Sequence, residues 1–322
     1  MFFIQKSKIH LVIGARPNYI KANPVYQALE RLNQYDIKLI NTGQHYDHNM
    51  STLFLDELKM KSPDINLEVG SDSHGIQTAK IMKRYEKVLL DELPNLVVVF
   101  GDVNSTIACA LAAVKLHIPV AHVEAGLRSF DRSMSEEINR ILTDQISELL
   151  FITSPEAETN LNNEGVSRKK IHFVGNTMID SLVAFENYFT ASTIKDQLNL
   201  VRPYALMTFH RPSNVDENEN LNNLVQALEK MSETLDCVFP IHPRTRTKLD
   251  NFEFLNRLKL NPRFHILDPI GYINFIRLQK DASVILTDSG GLQEESTFFG
   301  VPCQQFEITR NDRLPSHMEQ IN

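Results

Sequence analysis

Short, uninterrupted apolar runs alternate with amphipathic stretches along almost the whole chain, and this rhythm restricts the fold more than any other feature. The runs are Ile9–Gly14, Ile37–Asn41, Leu96–Phe100, Ile118–Val123, Leu149–Ile152 and Ile171–Val174, then Tyr204–Thr208, Cys237–Ile241, Phe264–Leu267 and Val284–Leu286. A strand with one wet face would alternate polar and apolar residues. These runs do not, so both faces of each strand must be covered. Helical spacing over Tyr19–Leu32, the Ala-rich Thr106–Leu116 and Met178–Tyr188 supplies the covering layers, which predicts α/β architecture with parallel sheets.

At 322 residues the chain is too long for one ordinary domain. The pattern restarts after the polar stretch Thr190–Gln197, and the boundary is expected near residue 178, dividing the chain into 1–178 and 179–322. A formal net charge of −7 excludes a general nucleic-acid binder. Phosphate binding stays open, because helix N-termini and a few arginines can hold a diphosphate in an acidic protein. Cys109, Cys237 and Cys303 are too scattered for a zinc cluster or disulfide framework and read as buried small hydrophobes in a reducing compartment. Lys6 and Lys8 interrupt the apolar start before a signal-peptide core forms, and no run is long enough to span a membrane, so a cytoplasmic protein is expected.

In open parallel sheets ligands bind at the carboxyl ends of the strands. Arg16, Gln44, His45, Asp102 and Glu124 follow strands in the first half, and His210, His242 and Ser289 do so in the second. The segment Asp288-Ser289-Gly290-Gly291 is a strand end, a small loop and a helix start, suited to phosphate. Ser289 as an ordinary N-cap, with the glycines as a turn, explains it equally. Glu295, one turn inside, offers an acceptor for ribose hydroxyls. His122-Val123-Glu124-Ala125-Gly126-Leu127-Arg128 ends a strand in a carboxylate and adds an arginine, which implies a ligand or a structural Glu124–Arg128 pair. Glu136 and Arg140 share a helix face, so a solvated i,i+4 salt bridge accounts for them by themselves. A lone His210 is more often a satisfied polar residue than a catalyst. No histidine pair has metal-ligand spacing, so neither a metal nor a cofactor is expected.

Taken in order, several segments resemble the non-hydrolysing UDP-N-acetylglucosamine 2-epimerases. They are Gly14-Ala15-Arg16-Pro17 with Lys21, Thr42-Gly43-Gln44-His45-Tyr46-Asp47, Ser73-His74-Gly75, Gly101-Asp102-Val103-Asn104-Ser105-Thr106, the 122–128 segment, Glu136–Arg140, Phe209–Asn214, Ile241–Thr245 and Thr287–Glu295. The resemblance runs from about residue 9 to Cys303. It implies two Rossmann-like domains in the glycosyltransferase-B architecture, with the active site in the interdomain cleft. It also implies interconversion of UDP-GlcNAc and UDP-ManNAc for surface polysaccharide synthesis. Carried over residue by residue, Lys21, Asp102, Glu124, Glu136, Arg140 and His210 form the catalytic set, and Asp102, Glu124 and Glu136 handle protons. Arg16, His210, Ser289, Gly290, Gly291 and Glu295 bind UDP, with Phe275 against the uracil, although a core aromatic on a short helix fits Phe275 as well. Relatives are commonly dimers, which leaves a homodimer as an open expectation.

The match weakens after Cys303, where Arg310 or Arg313 stands in for a family arginine. The chain stops at Asn322, short of the family's final helix, which carries the expectation of a truncated, impaired member. Two other readings follow: a glycosyltransferase of the same architecture, and a catalytically dead sugar-nucleotide-binding protein.

Overall fold

The computed structural model describes residues 6–44, 55 and 57–306, without the side chains of Arg16, Pro212 and Ser213. The chain divides into two compact units, Met1–Glu186 and Asn187–Asn322.

The first unit is built on a seven-stranded sheet. In chain order its strands are β1 (Ser7–Ile13), β2 (Tyr35–Asn41), β3 (Ile65–Asn66), β4 (Leu96–Phe100), β5 (Val120–Ala125), β6 (Leu149–Ile152) and β7 (Ile171–Phe173). They lie in the order β3-β2-β1-β4-β5-β6-β7, and every pairing is parallel. The second unit has a five-stranded sheet of β8 (Tyr204–Thr208), β9 (Asp236–Pro240), β10 (Phe264–Leu267), β11 (Val284–Thr287) and β12 (Cys303–Gln305), in the order β10-β9-β8-β11-β12 and again all parallel. Both are doubly wound. Strand order reverses between β1 and β4 in one sheet and between β8 and β11 in the other, and such switch points open a crevice at the carboxyl ends.

Continuous apolar strands arise because both faces are covered. In β8, Ala205 and Met207 join one core cluster while Tyr204 and Leu206 join another across the sheet. Fully burying a side chain the size of Leu206 or Met207 contributes about 1.5–3 kcal/mol. The helix His74–Glu92 buries Gln77, Ile81, Tyr85 and Leu89, one face at four-residue spacing. The helix Asn104–Lys115 is so rich in small residues that it is buried nearly all round, which brings it close to the sheet.

The helix Thr177–Ala184 packs on the helix Arg16–Leu32, and Ser181 Oγ donates to the Ile20 carbonyl at 2.7 Å. Its apolar face therefore belongs to the first unit, and the division falls after Glu186 rather than near residue 178. Cys109 and Cys237 are buried and Cys303 half-buried, all three as free thiols. Among the described residues no helix is long and apolar enough to cross a membrane.

Candidate active site

In each unit the strand-end residues gather at the switch point. In the first, Asn18 ties the two sides together. Its side-chain oxygen accepts from the amides of Gly14 and Ala15 at 3.2 and 3.0 Å, and its amide donates to the Phe100 carbonyl at 3.0 Å. The loop after β1 is thereby fastened to the end of β4. Gly14 permits the close approach: a Cβ there would lie 2.2 Å from Ser105 Oγ.

Above this junction lies the turn at Gly101–Asp102. Gly101 has φ +62, and a Cβ on it would stand 3.3 Å from Lys21 Nζ and 3.7 Å from Glu124 Oε2. Lys21 and Glu124 are ion-paired over this bare spot, both largely buried. Asp102 is ion-paired with Arg140, which also donates to Glu137 at 3.0 Å. Asn139, on the same helix as Arg140, donates to the Asp102 carbonyl at 2.9 Å. Lys21, Asp102, Glu124 and Arg140, remote in sequence, thus surround one turn. Glu136 sits half-buried at the start of the helix Ser135–Ile146 and accepts from Ser135 Oγ at 3.0 Å.

Neither of the simple ion pairs considered from sequence forms. Arg128 turns away from Glu124 to Asp144 at 2.8 Å and to Glu164 at 2.6 Å. Arg140 reaches Asp102 and Glu137 instead of Glu136. Glu124 itself has φ +75 at a bulge in β5, a left-handed conformation that L-residues adopt at a cost of roughly 1–2 kcal/mol. Strain of this kind collects where a side chain must be aimed.

Several supporting residues act through partners that the sequence pattern does not specify. Glu137 is buried and accepts from the Ser129 amide and hydroxyl, the Phe130 amide and Arg140. Burial pushes its carboxyl up, but these donors outweigh it and hold the group below the usual range. His122 and Asp144 form a fully buried pair. For His122 burial opposes the charge, and Asp144 with the Gly101 carbonyl more than restores it, so the imidazole is held above its ordinary value. Gln44, expected to face ligand, is buried with its side-chain oxygen accepting from the Ser105 amide and hydroxyl at 3.0 and 2.6 Å. His45, Tyr46, Asp47, Arg310, Arg313 and the Arg16 side chain lie outside the described residues.

In the second unit Asp288 is the organiser. Fully buried after β11, it accepts from the His210 and Arg211 amides, from Asn214 at 3.0 Å and from His210 Nδ1 at 2.8 Å. Burial alone would raise its carboxyl, but the His210 and backbone donors bring it below the usual range. His210 is anchored on one side while remaining half exposed, and its ring stands 5.9 Å from that of His242. Ser289 makes no side-chain capping bond to the helix Gly290–Phe299, and a Cβ on Gly290 would meet nothing within 4 Å. That helix start faces open space with its amides uncovered by a side-chain cap, a geometry that suits an anion. Glu295 is buried one turn in, close enough to Tyr272 for its charge to act on the phenol, which burial already pushes well up. Phe275 is half-buried against a core cluster. Among the described residues no group of three or more His, Cys, Asp or Glu is placed to hold a metal ion.

The family model described as UDP-N-acetylglucosamine 2-epimerase matches residues 27–312. A UDP-N-acetylglucosamine 2-epimerase of Methanocaldococcus jannaschii is 46% identical over 324 residues, covering 97% of this chain and 86% of that protein. A UDP-2,3-diacetamido-2,3-dideoxy-D-glucuronate 2-epimerase of Pseudomonas aeruginosa is 43% identical over 299 residues, 92% of this chain and 82% of that protein. The crystal structure of the Methanocaldococcus enzyme in complex with UDP-GlcNAc and UDP superposes with a TM-score of 0.85 at 46% identity, covering 92% of this chain and 83% of that one. These neighbours share the fold class, two Rossmann-like domains of the glycosyltransferase-B type.

Proposed function

The chain belongs to the UDP-N-acetylglucosamine 2-epimerase family, and from that premise we propose that it interconverts UDP-GlcNAc and UDP-ManNAc, supplying ManNAc units for surface polysaccharides. The reading rests above all on one observation: Lys21, Asp102, Glu124 and Arg140 converge on the Gly101 turn at a switch point.

The proton on C2 of the sugar is a poor acid while UDP stays attached. As the C1–O bond breaks, positive charge builds at C1 and C2 becomes acidic, so holding the departing diphosphate assists deprotonation. A carboxylate takes the C2 proton, the C1=C2 double bond forms and UDP leaves. Re-addition of UDP to C1, with a proton delivered to the opposite face of C2, completes the inversion. Two faces need separate proton-handling groups. Asp102, Glu124 and Glu136 are the candidates, with Lys21 aiming Glu124 and Arg140 aiming Asp102. His210, Ser289, Gly290, Gly291 and Glu295 would hold UDP, with Arg16 completing the grip and Phe275 against the base.

A second substrate reading has specific support in the 43% identity to the Pseudomonas diacetamido-glucuronate enzyme. Incubation with UDP-GlcNAc, and separately with the UDP-linked diacetamido-glucuronate, in deuterated water separates the two. UDP-ManNAc carrying deuterium at C2 is expected. Product without label would remove the elimination route, and turnover of the glucuronate alone would reassign the substrate. A homodimer in the cytoplasm belongs to the same proposal and is read by sedimentation.

A further inference from the structure

His122 occupies the middle of β5, wholly buried, beneath the turn that bears Asp102. Its Nε2 is 2.7 Å from the Gly101 carbonyl oxygen, and its Nδ1 is 2.7 Å from Asp144 Oδ1. A carbonyl oxygen can only accept, so Nε2 carries a hydrogen. Asp144 also accepts the Gly126 amide at 3.0 Å and pairs with Arg128 at 2.8 Å, and these contacts keep it a carboxylate. Nδ1 therefore carries a hydrogen as well. A ring with both nitrogens donating is an imidazolium.

We infer that His122 is a permanently charged positioning residue, whose imidazolium fixes the Gly101–Asp102 turn and supplies positive charge beside Glu124. The inference deepens the epimerase reading and rests on it for its kinetic consequences. The Gly101 carbonyl is where the β4 chain bends into its left-handed residue, so the hydrogen bond from Nε2 pins the hinge that aims Asp102. Three charged groups act around the ring: Asp144 from the helix Ser135–Ile146, Arg128 from the loop after β5 through Asp144, and Glu124 from β5 itself, close enough for its carboxylate to favour the charged ring. Coupling is mutual, so the imidazolium favours ionised Glu124. Burial opposes the charge on His122, and Asp144 and Gly101 outweigh it.

Two measurements test this. In protein labelled with ¹⁵N-histidine, both ring nitrogens of His122 should still show protonated shifts at pH values above the midpoint near about 6.5 at which a free histidine titrates. The His122 signal is assigned in the parent protein, by through-bond correlation from its backbone to its ring. A neutral tautomer, or a midpoint near the free value, overturns the inference whatever the enzyme does, and this arm needs no foldable variant. His122→Gln keeps an amide able to donate to Gly101 but removes the charge. It should lower kcat about ten- to a hundredfold, leave KM within about twofold and move the acid limb of the kcat/KM profile to higher pH. A folded variant with unchanged kcat and pH profile overturns the inference. Failure of the epimerase reading looks different: the parent protein would turn over neither UDP-sugar, while the protonated ring would still be seen.

Discussion

Asp102 and Arg140 are 38 residues apart in sequence and ion-paired in the fold, with Arg140 holding Glu137 on its other nitrogen. The arginine thereby fixes the candidate acid at the end of β4 to the helix that carries Glu136. Lysine lacks the planar fork by which Arg140 reaches the two carboxylates from separate nitrogens. Arg140→Lys should fold, bind UDP with nearly parental affinity and lose about 10²-fold in kcat, since small losses of positioning are that costly. Calorimetric UDP binding beside steady-state rates checks the split; parental turnover would show the bridge to be only structural.

The proton-handling assignments have their own test. Asp102→Asn, Glu124→Gln and Glu136→Gln should each reduce kcat by about 10²–10⁴-fold, the usual contribution of a placed acid or base. If all three stay within a few-fold of the parent while folding normally, the carboxylates serve the fold and not the reaction.

Glu136 and Glu137 are neighbours with opposite fates. Glu137→Gln replaces an acceptor that meets four donors in a buried place, and should destabilise the protein by about 1–3 kcal/mol. Glu136→Gln should leave the melting temperature alone and lower the rate. Finding the two phenotypes exchanged in denaturation and rate assays would refute the division of roles.

Acid sensitivity should trace to Asp288. Its carboxyl is held below the usual range in the folded state. The stability it contributes is thus complete above the unfolded value, about 3.9, and lost as pH falls through the folded one. Asp288→Asn should therefore flatten the acid limb of a melting-temperature profile below about pH 4, while weakening UDP binding by misplacing His210. A variant as acid-labile as the parent would contradict this.

Gly14→Ala should be destabilising, because the new methyl meets Ser105 at 2.2 Å and Ser105 is itself locked by Thr42 and Gln44. Overpacking of this kind costs roughly 1–3 kcal/mol. Thermal denaturation reads it directly, and an unchanged midpoint would mean that the junction is softer than its contacts imply.

The two doubly wound sheets were legible because a strand buried on both faces writes its position as an unbroken apolar run, as Leu96–Phe100 and Tyr204–Thr208 do. β3 and β12 were not seen, being two and three residues long without such a run. Of the site, the strand-end residues could be read from their place after each run, but their partners could not. Glu124 finds Lys21, and Arg128 finds Asp144 and Glu164, through contacts set only when the sheet assembles. The helix that ends the first unit was assigned past the boundary because its partner, the helix Arg16–Leu32, lies far back in the chain. Polar residues inside apolar strands, His122 above all, were a usable signal: a buried charge must have a counter-charge somewhere.

The left-handed backbone at Glu124 sets fold and chemistry against each other. Glycine or asparagine would sit there with less strain, yet neither carries a carboxylate to place beside Lys21. Selection for heat resistance alone would draw position 124 toward those residues and away from turnover. Anyone hardening this protein by directed evolution should find Glu124 among the first positions to drift, and would keep the enzyme only by holding it constant.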